Sequence, residues 1–231
     1  MDPLTPAAID PPANVLLVHP KRTEPDACEE LCHDTATTAR LSVTFGDKEP
    51  NCPDEATVDG KFGQITVGNV LTGDSDDSMP DYTQTVVTDS VTDPTDLSEI
   101  GVAISRFCKH WSESSNDITV CFDSLDALLR HTSPKEVFQF THVVTNRLSG
   151  VDAYAHFHFD PTRHDDRVVS TFGTIFDAVV ADDHTDETLP EATDEEVAST
   201  LAEWEEEPAI DLEPDASTEA TDEEVAQILG K

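Results

Sequence analysis

Basic residues are scarce in this sequence. Thirteen lysines and arginines stand against 49 aspartates and glutamates over 231 residues, a formal net charge of −36. That balance argues against direct nucleic-acid binding, which rests on basic side chains neutralising phosphates. Long hydrophobic runs are missing as well: nothing approaches the roughly 18 apolar residues of a membrane span. Met1–Pro12 has neither the basic nor the apolar region of a secretory leader, so the expected compartment is the cytoplasm. The five cysteines (Cys28, Cys32, Cys52, Cys108, Cys121) form no even, closely spaced framework, which argues against a disulfide scaffold.

What the chain has in excess is acid. Residues 182–231 hold 19 acids and one lysine, a net −18, which leaves 30 acids and 12 bases, again −18, on residues 1–181. Such a charge drives the compact state apart at low ionic strength. Molar salt relieves this by shrinking the Debye length to about 3 Å. The expectation is a halophile's cytoplasmic protein, with part of the charge on a disordered tail.

The organising stretch is Ile118–Asp123. Ile118, Thr119, Val120, Cys121 and Phe122 run without a turn signal and stop at an acid, as a strand buried on both faces of a parallel sheet does. Asn14–His19 and Leu41–Phe45 read as earlier strands, and Gln64–Leu71 and Gln84–Thr88 as two more short ones. Residues 46–63 are rich in turn formers and mark a loop or lid. Asp26–His33 reads as a helix opened by Pro25. A longer helix starts at Thr95 or Asp96, with Leu97, Ile100, Ile104, Phe107, Cys108 and Trp111 at helical spacing. Ser133-Pro134-Lys135-Glu136 opens a third, which ends at Gly150. Ala153–Phe159 alternates as a strand, His164–Phe172 fits a short helix, and Phe176–Val180 a last strand. Strands alternating with helical patterns predict an α/β domain over residues 13–183. Its sheet is expected to be mostly parallel with helices on both faces, between a flexible residues 1–12 and an acidic tail at 184–231.

Three chemistries are candidates. Asp123 followed by Ser124 at the carboxyl end of the central strand is an arrangement that holds magnesium in nucleotide-binding domains; either residue also suits a helix cap. A phosphate loop would lie between the first strand and first helix, where backbone N–H groups wrap phosphate. No glycine occurs there between Asn14 and Arg40, two prolines remove donors, and Lys21 precedes the helix. A working cradle is not expected. His156, His158 and Asp160 sit two apart on one strand face, a conceivable zinc or iron triad, although histidines at the edge of a covered sheet read the same way. Cys28 and Cys32, four apart with His33 next, are able to share a helix face, but a metal needs more ligands than that pair. Cys108 and Cys121 read as small core hydrophobes.

With Val120–Leu125, Ala155–Asp160 and Phe176–Val180 in that order, and Asp93–Gly101 before the central strand, the chain resembles the RecA/KaiC-type ATPase core. It is most similar to the divergent branch found in halophilic archaea, over roughly residues 13–182. The resemblance implies a RecA/P-loop NTPase-like fold and makes Asp123 the magnesium-associated acid. The family's catalytic glutamates fall near Gly46-Asp47, so at best Asp47 is left. With the family's loop glycines and Lys-Thr pair absent, the expectation is a non-catalytic module acting through protein contacts and needing no cofactor. The alternative is an ATPase with an atypical loop, using ATP and magnesium at Asp123 and Asp47, and Lys21, Arg22 and Ser124 toward the nucleotide. A metal-dependent hydrolase on His156, His158 and Asp160 is a third reading.

In the tail, Glu191–Ala198 recurs identically as Glu219–Ala226, offset by 28 residues. Each copy carries a capping box, Thr193…Glu196 and Thr221…Glu224. Apolar residues follow at helical spacing: Val197, Leu201 and Trp204 in the first segment (191–204), Val225, Ile228 and Leu229 in the second (219–229). Neither is long enough to be stable alone. One reading is two docking helices, forming on a protein partner or on the chain's own domain; the other is an acidic tail whose repeated words only solubilise the chain. A homo-oligomer is open.

Overall fold

A computed structural model describes residues 4–20, 26–32, 38–46, 53, 58–68, 80–114, 117–181 and 191–206. Along the chain run β1 (Ala13–Val18), α1 (Asp26–Leu31), β2 (Thr38–Phe45), β3 (Lys61–Val67), β4 (Val86–Val91) and α2 (Leu97–Glu113). Then come β5 (Asp117–Phe122), α3 (Leu125–Leu129), α4 (Pro134–Ser149), β6 (Tyr154–Phe159), α5 (Asp166–Gly173), β7 (Ala178–Ala181) and α6 (Asp194–Glu206). The seven strands form one sheet in the order β4-β3-β2-β5-β6-β1-β7. Every pairing is parallel, so this is an α/β fold.

The centre of the sheet explains the continuous apolar runs. Every residue of β1 and β6 is buried, because successive side chains enter two different cores. Leu16, Val18, Ala155, Phe157 and Phe159 join the larger core, built with α2, α3, α4 and α5. Val15, Leu17 and Tyr154 join a smaller one on the opposite face, closed by Leu31 of α1 and by Ile9. Helices therefore cover both faces. Gly63 in β3 is a packing requirement: a Cβ there would lie 2.6 Å from Phe107 Cε1 and 2.7 Å from Trp111 Cη2 of α2.

Helix starts follow local chemistry. Asp96 caps α2 by accepting from Glu99 N at 2.8 Å, and Ser133 and Glu136 form a reciprocal capping box on α4. Several boundaries differ from expectation: β2 begins earlier, at Thr38, and β3 begins at Lys61, inside the residues expected as a loop. β3 ends at Val67 because Gly68 takes a φ of +78°, and its partner β4 reaches Val91, where Val91 O accepts from Gly68 N. The helix expected from His164 begins only at Asp166, since Pro161–Arg163 close a 3-10 turn first.

The first tail copy forms α6 against the domain. Thr193 and Glu196 make the expected capping box. Trp204 meets Phe172 of α5 with ring centroids 6.4 Å apart. Arg167 of α5 donates to Thr200 Oγ1 at 2.7 Å and pairs with Glu203. Val197 and Leu201 are half-buried. Val225, Ile228 and Leu229 of the second copy lie outside the described residues.

Candidate functional site

β1 and its neighbour β6 send the chain to opposite faces: β1 leads to α1 over the smaller core, β6 to α5 over the larger. Such a switch opens a crevice beyond the carboxyl ends of the strands, the place where open α/β sheets bind ligands. What lines this crevice and the sheet beneath α1 is a cluster of imidazoles and thiols.

His19 follows β1 directly, and its backbone N–H donates to Phe159 O at 3.0 Å. Its Nε2 lies 2.8 Å from Nδ1 of His158 on β6, the rings meeting edge-on. Nε2 of His158 in turn points to the Cys121 sulfur of β5 at 3.6 Å. Two residues before, on the same face of β6, His156 places Nε2 3.4 Å from the Cys28 sulfur of α1. Cys121 and His156 are register partners across β5 and β6, which brings their side chains to the same level of the sheet. Cys32, just past α1, hydrogen-bonds Cys28 and lies beside His156. The donor atoms of Cys28, Cys121, His156 and His158 all lie within 4.8 Å of one another. His156 is wholly buried, and its Nδ1 has no hydrogen-bond partner among the described residues.

The protons in this cluster are under tension. The hydrogen bond to Cys28, together with burial, pushes the Cys32 thiol far up. Burial on its own lowers the pKa of His156, but hydrogen bonds to the Cys28 and Cys32 sulfurs outweigh it and raise it to about 9.

The other sequence candidates occupy different roles. Ser124 caps α3, its Oγ accepting from Ala127 N at 3.2 Å, so the hydroxyl expected near magnesium serves the helix start. Asp123 is half-buried at the end of β5, and its N–H donates to Val43 O at 2.9 Å. Asp160 corrects the expected triad. Its Oδ1 accepts from Thr162 N at 3.0 Å and Thr162 Oγ1 at 2.6 Å, and its Oδ2 meets Arg163 Nε at 3.2 Å. Pro161 turns the chain at once, and the carboxylate caps that turn, outside the clustered donors of Cys28, Cys121, His156 and His158. Asp126 is a carboxylate the sequence reading missed. It accepts from Asp160 N at 2.9 Å and from His164 Nε2 at 2.7 Å, with His164 stacked on Phe159. Lys21, Arg22, His33, Asp47 and Cys52 lie outside the described residues.

Cys121 was the signal hardest to find. Inside a continuous apolar run it reads as one more core residue, as Cys108 is in α2, where burial pushes the thiol up to about 12. Only the pairing of β5 with β6 sets Cys121 beside histidines. Among the described residues, no helix is long and apolar enough to cross a membrane. Residues 12–182 match a family model whose description is a family of unknown function (DUF7504). No curated protein matches the chain.

Proposed function

The chain belongs to the family of unknown function DUF7504, and from its own site we propose that it is a non-catalytic RecA/KaiC-like module. It works through protein contacts in a salt-rich cytoplasm. One observation carries this reading: the segment between β1 and α1, where a triphosphate would be gripped, has no glycine in its sequence, and the imidazole of His19, which opens it, is turned onto His158. α1 has only six residues and carries Asp26 and Glu29 in its first turn, where they oppose the anion-attracting end of the helix dipole. Ser124, Asp126 and Asp160 are engaged in capping or tying the chain together. Phosphoryl transfer depends on positioning and on neutralising phosphate charge, and these acids supply the opposite sign.

The contact surface we assign is the tail. Its first copy already forms a helix on the domain through Trp204 and the Arg167 clamp, and the second repeats the same octapeptide. The net charge of −36 supports a high-salt compartment.

Equilibrium binding of ATP with magnesium in molar KCl tests the reading. Millimolar or absent affinity is the expected result. Micromolar affinity that disappears in Asp123→Ala would overturn it in favour of an ATPase with an atypical loop.

A further inference from the structure

We propose that Cys28, Cys121, His156 and His158 form a zinc site that pins α1 to the sheet. Thiolate sulfur and imidazole nitrogen are the donor set of structural zinc, and two of each complete a tetrahedron. The spacing fits. Bonds of about 2.3 Å to sulfur and about 2.05 Å to nitrogen at the tetrahedral angle put sulfur and nitrogen about 3.6 Å apart. Cys28 Sγ to His156 Nε2 is 3.4 Å, and Cys121 Sγ to His158 Nε2 is 3.6 Å. The widest separation within the set is 4.8 Å, so a small inward shift of side chains suffices.

The surroundings match as well. A zinc-bound histidine ordinarily has its second nitrogen held by a neighbour that fixes the tautomer. His19 does this for His158, 2.8 Å from Nδ1, and leaves Nε2 directed at the Cys121 sulfur. Cys32 hydrogen-bonds Cys28 and is the outer partner on the thiol side. His156 and Cys121 are buried, and all four positions of the tetrahedron are filled by the chain. That closed arrangement belongs to a structural site rather than one keeping a position open for water.

The fold also has a use for such a clip. α1 is a six-residue helix that a chain cannot hold by propensity. Its fully buried apolar anchor is Leu31. Four ligands from α1, β5 and β6 span 131 positions of sequence, from Cys28 to His158. Closing loops of that length confines the unfolded chain far more than it confines the folded one. Loading is balanced by release to solvent of the two thiol protons and of the extra proton on any His156 ring that is protonated.

The inference does not depend on the module being catalytically inert. Its test uses the purified full chain, stripped with chelator and then titrated with ZnCl2, or with CoCl2 as a coloured surrogate. The expected result is one metal per chain. The cobalt form should show the intense visible bands of a tetrahedral centre and a thiolate-to-cobalt charge-transfer band. Cys121→Ser and His158→Gln should each weaken binding by more than about 100-fold. His19→Ala should weaken it about 10- to 100-fold, as for an outer partner, while Cys108→Ser, in the core formed with α2, keeps full affinity. Zinc should also protect the amides of residues 26–32 from hydrogen exchange. The proposal is overturned if the unsubstituted chain takes up no metal or gives an octahedral cobalt spectrum. Retention of full metal affinity by Cys121→Ser overturns it equally, and because the first readout needs no variant, a misfolded substitution does not shelter it.

Discussion

Removing the Trp204 indole asks what holds the tail on the domain. α6 is 13 residues long and marginal as an isolated helix. Its capping box organises the first turn but does not attach it. Polar contacts of Arg167 with Glu203 and Thr200 do so together with apolar burial, in which the half-buried Trp204 against Phe172 is the largest side chain beside Val197 and Leu201. Molar salt screens the ion pair and leaves the apolar contact. A tryptophan buries about 200 Å² when enclosed. Taking about half of that at about 25 cal/mol/Å² gives about 2.5 kcal/mol for Trp204→Ala, about a 70-fold fall in the docking equilibrium. Hydrogen exchange of the 194–206 amides in molar KCl measures it. Their protection should drop about 70-fold while β1, β5 and β6 keep theirs. Unchanged protection would refute the indole as the anchor. Equal loss across α6 and the central strands would refute a detachable tail helix and make α6 part of the cooperative core.

Other substitutions probe the sheet. Gly63→Ala drives a methyl group into the buried rings of Phe107 and Trp111, and overpacking of this kind costs about 1–3 kcal/mol. A lowered urea midpoint at unchanged slope is the expected reading; a wild-type midpoint would mean α2 does not press on β3. Asp126→Asn removes a carboxylate oxygen from Asp160 N–H or from His164. It should destabilise by about 1–3 kcal/mol in urea unfolding, and His164→Gln on that background should add less than it does alone, since the two share one interaction.

Much of the fold was legible because its causes are local. The run Ile118–Phe122 has no polar face, and the sheet indeed buries both sides of β5 after Asp117. Ser133-x-x-Glu136 and Asp96 announce helix starts by supplying acceptors for N–H groups that a first turn leaves open. The edges were less legible. β3 and β4 end where they exchange hydrogen bonds with each other, and Gly68 turns because Val91 O is there to accept from it. Neither segment carries that information alone. Asp160 shows the same limit: its spacing from His158 suggests a shared face, yet the proline after it redirects the carboxylate into a turn.

Composition and short-range pattern settle the α/β class, the helix caps, the acidity of both halves and the repeat in the tail, since each arises within a few neighbouring residues. The cluster of Cys28, Cys121, His156 and His158 is different in kind. Each member reads as an ordinary core or helix residue in its own stretch. They meet because strand order sets β6 between β5 and β1 and carries α1 across the face above them. That order is decided by which apolar faces find each other over more than a hundred residues, a competition between burial and chain entropy that no local window contains.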